Sequence, residues 1–173
     1  DVLEETDDSR VVCVSSALHK KAKLEFDEMN ERESYNKNTA YADSKMANLM
    51  FAKSLDEKFK EDDIDTMAVA VHPGYAATNL QIRSAKSTGG KLKLAGMKVM
   101  NRVVAQSAED GAMPTLYGCT ADLDGGEFIG PSGLKEMRGS PKIVEPDERA
   151  LDEDLREKLW DFSEEQLGMK FEL

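Results

Sequence analysis

Histidine and cysteine are scarce in this sequence, with two of each among 173 residues. Cys13 and Cys119 lie far apart without metal-ligand spacing, so they read as free, buried thiols in a reducing cytoplasm. Too few imidazoles and thiols are present to expect a structural zinc site. No apolar run approaches the about 20 residues that a membrane-spanning helix requires. A basic, then apolar, leader is also missing. These absences point to a soluble, cytoplasmic protein. The sequence opens Asp1-Val2-Leu3-Glu4, without an initiator Met, and this suggests a part lying upstream.

Positive charge is in deficit overall, at a formal net charge of −11. That argues against a nucleic-acid partner, because phosphate binding needs a basic surface. A solvated acidic surface that maintains solubility is the simpler reading. Negative charge is missing locally: no acidic residue lies between Asp65 and Glu109, where Arg83, Lys86, Lys91, Lys93, Lys98 and Arg102 all fall. No internal repeat or low-complexity tract is present.

What is present alternates between strand and helix patterns. Residues 10–15 (RVVCVS) form a β-branched run that reads as a buried strand. The stretch 19–38 is polar and irregular. Residues 39–60 read as a helix with Ala47, Phe51, Leu55 and Phe59 along one apolar face, Met46 and Met50 beside them, and Asn38 or Thr39 as cap. Residues 66–71 (TMAVAV) read as a second buried strand, stopped by His72-Pro73-Gly74. Strand, crossover helix and strand make a βαβ unit with a parallel sheet. Further on, Ser107 to Asp110 resembles a capping box opening a helix to 121, and residues 127–129 form a short strand closed by Gly130-Pro131. Residues 152–167 form a last helix, with Leu155, Leu159, Phe162 and Leu167 inward and Gly168 as its stop.

The chemistry concentrates in Tyr41-Ala42-Asp43-Ser44-Lys45. Residues four apart project from one face of a helix, so Tyr41 and Lys45 point the same way. A phenol is ordinarily a poor acid or base at neutral pH, with a pKa of about 10, and a neighbouring ammonium favours its ionised form. Such a pair can protonate a carbonyl oxygen, or deprotonate an alcohol, while a hydride moves at the adjacent carbon. Ser15-Ser16 ends the first strand at the carboxyl edge, where open parallel sheets place their ligands. A hydroxyl there can donate to a substrate carbonyl. His72-Pro73-Gly74, followed by Thr78, leaves the sheet at the same edge. Alone, a Tyr-x-x-x-Lys spacing is a weak signal; the convergence of these elements gives it weight.

The stretches RVVCVSS, AYADSKMANLMF and AVHPGYAATNL resemble the second half of the short-chain dehydrogenase/reductase superfamily, and more narrowly its retinol-dehydrogenase branch. LEFDEMN at 24–30 resembles that branch's insert between serine strand and tyrosine helix. GGEFIGPSGLKEMRGSP resembles its closing strand and tail. The resemblance implies an α/β fold: the C-terminal half of a doubly wound, Rossmann-type parallel sheet with flanking helices. Residues 1–173 would then be the catalytic part of a single domain, with 79–106 a variable substrate lid. Ser16 would orient and polarise the substrate carbonyl, and Tyr41 would be the general acid/base. Lys45 would hold the nicotinamide ribose and favour the ionised phenol. Pro73 and Gly74 would turn beneath the nicotinamide, and Thr78 would bond its carboxamide or the nearby phosphate. Ser15 and His72 are assigned structural roles.

The implied activity is that of an NAD(P)-dependent oxidoreductase interconverting a carbonyl and an alcohol, with NADP favoured over NAD and an apolar small-molecule substrate. A homo-oligomer and peripheral membrane contact through the basic, apolar-interleaved segment 82–104 are further expectations. One feature of the family is missing. The sequence holds no G-x-x-x-G-x-G turn on which a pyrophosphate could sit. The 173 residues alone are therefore expected to bind dinucleotide poorly and to be inactive, with sheet edges uncovered. Two alternatives stay open: a non-catalytic remnant that binds a partner through its sheet edge, and a sugar-nucleotide epimerase or dehydratase sharing the Tyr/Lys pair.

Overall fold

A computed structural model of the chain describes residues 2–31, 33, 35–75 and 106–171. Two parallel strands, β1 (Ser9–Val14) and β2 (Thr66–Val71), are joined by helix α1 (Lys37–Glu61). Helix α2 (Ala108–Thr120) leads to β3 (Phe128–Pro131), and β4 (Pro141–Ile143) and helix α3 (Glu153–Leu167) follow. The sheet order is β1-β2-β3-β4. β1 pairs with β2 in parallel from Ser9↔Thr66 to Val14↔Val71, and β2 with β3 in parallel at Ala70↔Phe128 and Val71↔Ile129. β4 is antiparallel to β3. The α/β class and the parallel βαβ unit expected from the sequence are present. The short antiparallel β4 was not foreseen.

β2 is central and nearly continuous in apolar residues, as a strand covered on both faces must be. Its alternation sends Ala68 and Ala70 into the clusters beneath α1, and Val69 and Val71 into a cluster with Tyr117 of α2. Helices therefore lie on opposite faces. α2 lies close to the sheet at Gly118, where a Cβ would meet Val71 at 3.0 Å.

α1 buries Ala42, Met46, Leu49, Ala52, Leu55 and Phe59 at three- and four-residue intervals, with Met50 beside them, and holds no Gly or Pro. Met46 and Met50 are fully buried, each contributing about 2 kcal/mol by removal from water. The buried stripe is displaced from the expected one. Phe51 is exposed and stacks on Trp160 of α3, because α3 supplies a surface that helical periodicity could not announce. The helix also begins earlier, on Asn36, whose side chain accepts from the amides of Asn38 and Thr39.

α3 docks through Leu159 and through buried Arg156, whose Nη2 donates to both carboxylate oxygens of Glu57, at 2.7 and 2.8 Å. It starts on the Asp152 cap and stops at Gly168 in the left-handed conformation. Leu167, expected inward, is exposed at the final position of α3, where the chain reverses at Gly168. The cysteines are free, but Cys119 is exposed and Cys13 half-buried, because the former lies on the outer side of α2. No helix among the described residues is long and apolar enough to cross a membrane.

Candidate functional site

The carboxyl ends of β1 and β2 leave the sheet side by side, since Val14 is in register with Val71 and the Ser15 amide donates to the Val71 carbonyl at 2.7 Å. Ser15-Ser16 and His72-Pro73-Gly74 therefore begin at one edge. α1 is fastened there by side chains. The buried Ser15 Oγ donates to the Lys45 carbonyl at 2.6 Å. The Val14 carbonyl, last of its strand, receives two donors, Lys45 Nζ at 3.0 Å and Asn48 Nδ2 at 2.9 Å. Tyr41 lies one turn earlier on the same face, 39% exposed, with Lys45 Nζ 5.7 Å from its ring centre.

Ser16 lies just beyond the strand rather than on it. It caps a single 3₁₀ turn, Ala17–Lys21, its Oγ accepting from the Leu18 amide at 3.2 Å. That bond uses an oxygen lone pair and leaves the hydroxyl proton to be directed elsewhere. His19, in a stretch the sequence left undefined, is fully buried and fixes this turn. Its Nδ1 donates to the Ser16 carbonyl at 2.7 Å, while Nε2 accepts from the Asp147 amide at 3.1 Å. An amide can only donate, so Nε2 is the bare nitrogen and Nδ1 carries the proton.

Beyond β2, Gly74 adopts φ +67°, and a Cβ there would lie 2.5 Å from the Met137 carbonyl and 2.7 Å from Pro131. Only glycine fits this turn. His72 is fully buried, and its Nδ1 accepts from the Gly74 amide at 3.3 Å. Its Nε2 faces Glu136 Oε2 at 3.2 Å, an approach too poorly aligned to count as a hydrogen bond. Glu136 and Lys135 reach this position in the left-handed backbone region, at roughly 1 kcal/mol each. Burial pushes the His72 pKa down to about 4, with the Glu136 carboxylate opposing. Burial likewise depresses His19. His72 is therefore neutral at physiological pH, buried and bonded to the turn that follows it.

Gln106 completes the turn. Its Nε2 donates to the Pro73 carbonyl at 2.6 Å, its Oε1 accepts from the Gly139 amide at 3.3 Å, and its own amide donates to the Tyr75 carbonyl at 3.0 Å. One residue thus ties the Pro73–Tyr75 turn to the loop after β3. The fold brings Ser16, Tyr41, Lys45, Pro73 and Gly74 to one edge. Thr78, the segment 82–104 and all of the expected lid but Gln106 lie outside the described residues. Sequence reading missed Asn48, Gln106, His19 and Glu136. Only Asn48 carried a signal, lying three residues after Lys45 and seven after Tyr41 on the same helical face.

Known proteins share this stretch. Mouse retinol dehydrogenase 14 is 30% identical over 174 residues, covering 97% of this chain and 47% of the relative. The short-chain dehydrogenase TIC 32 A, chloroplastic, of Brassica napus is 31% identical over 163 residues, covering 90% and 46%. A crystal structure of an uncharacterized protein from Mycobacterium paratuberculosis superposes with a TM-score of 0.72 at 30% identity, covering 96% of this chain and 53% of that one. The chain belongs to the short-chain dehydrogenase/reductase superfamily. It spans about half the length of the curated relatives it matches. No family model matches it. Within the superfamily its relatives include several retinol dehydrogenases, such as human retinol dehydrogenase 13 at 28% identity over 98% of this chain.

Proposed function

We propose that this chain carries the proton-transfer apparatus of an NAD(P)-dependent oxidoreductase acting on a carbonyl/alcohol pair. The observation that carries this reading is the docking of α1 onto the end of β1. It fixes Tyr41 and Lys45, on one helical face, at the sheet edge from which Ser15-Ser16 and His72-Pro73-Gly74 leave. A nicotinamide dinucleotide, when bound, supplies the hydride for reduction or takes it in oxidation.

The chain's own groups do the rest. The Ser16 hydroxyl donates to the substrate oxygen and holds it as negative charge develops there. The Tyr41 hydroxyl gives its proton to that oxygen in reduction and takes one from the alcohol in oxidation. Lys45 would hold the ribose next to the nicotinamide. The residues present fit the nicotinamide–ribose end, because an ammonium, a hydroxyl-bearing turn and a glycine turn meet there. They do not supply a pyrophosphate cradle, since the sequence holds no G-x-x-x-G-x-G turn. NADP is favoured over NAD by resemblance. The names of the relatives support an apolar substrate of the retinoid kind.

A second reading has its own support: β1 is an edge strand among the described residues, with no charge after Arg10 to blunt pairing with another strand. Assay separates the two. The natural gene product is tested for NADPH-dependent reduction of retinal and long-chain aldehydes, beside Tyr41→Phe. Turnover that falls by about 10²-fold or more in the variant supports the oxidoreductase. Equal rates in both proteins would leave the strand-pairing reading in its place.

A further inference from the structure

We infer that Asn48 is a positioning residue that keeps Lys45 available to a ligand by holding the Val14 carbonyl in its stead. The inference rests on the proposed role of Lys45 at the ribose. Val14 ends β1, an edge strand among the described residues, and its carbonyl accepts from Lys45 Nζ at 3.0 Å and from Asn48 Nδ2 at 2.9 Å. A carbonyl oxygen has two lone pairs, and a single donor is enough to satisfy it. One of these two donors is therefore free to leave.

The side chains decide which. Asn48 is a short, neutral amide on the helix that Ser15 fastens to the same strand end. Lys45 is a flexible four-carbon stem with a strongly hydrated charge, which gains entropy and other partners on release. Without the amide, the ammonium would be the carbonyl's one side-chain donor, and a ligand drawing on Lys45 would have to leave this half-exposed carbonyl to water. Asn48 thus separates two duties that Lys45 would otherwise carry together, fastening the helix and meeting the ligand.

The test reads Lys45 directly and needs no dinucleotide. The full chain is treated with limiting acetic anhydride, and modification at Lys45 is followed by peptide mass spectrometry relative to exposed Lys142 of β4. Asn48→Leu removes the donor with little change of size. The expected result is that Lys45 is modified about threefold more slowly, because its bond to Val14 tightens. Asn48→Gln, which retains an amide donor, is expected to restore the wild-type rate. A purely structural role would loosen the helix and speed the modification.

An unchanged or faster rate in a folded Asn48→Leu protein overturns the inference. If Asn48→Leu does not fold, Asn48→Ala takes its place. Failure of both to fold assigns Asn48 to stability alone and equally overturns it. The oxidoreductase reading fails separately, through undiminished activity of Tyr41→Phe, with the labelling result left standing.

Discussion

His72 and Gly74 are joined across a single proline: the Gly74 amide donates to Nδ1 of His72, a ring held fully out of solvent. The bond dictates the tautomer, with Nδ1 bare and the proton on Nε2, facing Glu136. It also ties the shape of the turn to the charge state of one imidazole. A proton on Nδ1 would remove the only lone pair available to Gly74.

The first prediction follows from that linkage. The folded-state pKa of His72 is depressed to about 4 from 6.5 in the free side chain. The unfolded chain therefore binds more protons between these values, and stability rises with pH across that window. The contribution is fully present above pH 6.5 and is lost as pH falls towards 4, on the order of 3 kcal/mol in all. Urea melts of the wild type and His72→Asn, whose Oδ1 can accept from Gly74, should diverge across this range, with the variant flatter. Parallel curves would contradict it.

Gly74→Ala should destabilise the fold by about 2 kcal/mol or more. The positive φ penalises any Cβ, and the new methyl would also meet the Met137 carbonyl, which is backbone and cannot swing away. Denaturant midpoints would measure the loss. A midpoint within error of the wild type would mean that the turn relaxes freely.

Gln106→Met keeps the volume of the side chain and deletes both of its amide bonds. Amide exchange at Gly139, which Gln106 Oε1 caps, should quicken by about tenfold or more, with about 1–2 kcal/mol of stability lost. Hydrogen-exchange mass spectrometry of the peptide spanning Gly139 makes the comparison. Unaltered protection would show that β4 alone fixes the loop.

The 173 residues alone should gain no melting temperature from millimolar NADPH. A dinucleotide present at 100 times its Kd would contribute about 2.7 kcal/mol, roughly 5–10 °C in a chain of this size. Thermal melts with and without NADPH settle the matter. A clear rise would mean that residues outside any Gly-rich turn hold the pyrophosphate.

Local patterns made much of the site legible beforehand. Tyr41 and Lys45 share a helical face because four residues are one turn, and that needs no knowledge of the rest of the chain. The two strands announced themselves by β-branched runs, and His72-Pro73-Gly74 by the inability of proline to continue a ladder. The Ser107 cap was legible because it acts within three residues. The Asn36 cap was equally local, but Asn38 and Thr39 offered competing candidates.

Sequence by itself determined the periodicities, the turn residues and the family likeness, all of which reside in neighbouring or shared positions. Tertiary structure alone decided which face of α1 is buried, since α3 had to arrive before Phe51 could rest on Trp160. It also decided that Asn48 and Lys45 share the Val14 carbonyl, that Gln106 clasps Pro73 to Gly139, and that Glu136 meets His72. Each of these contacts joins residues about 30 or more positions apart, where only the folded chain brings donor and acceptor within reach.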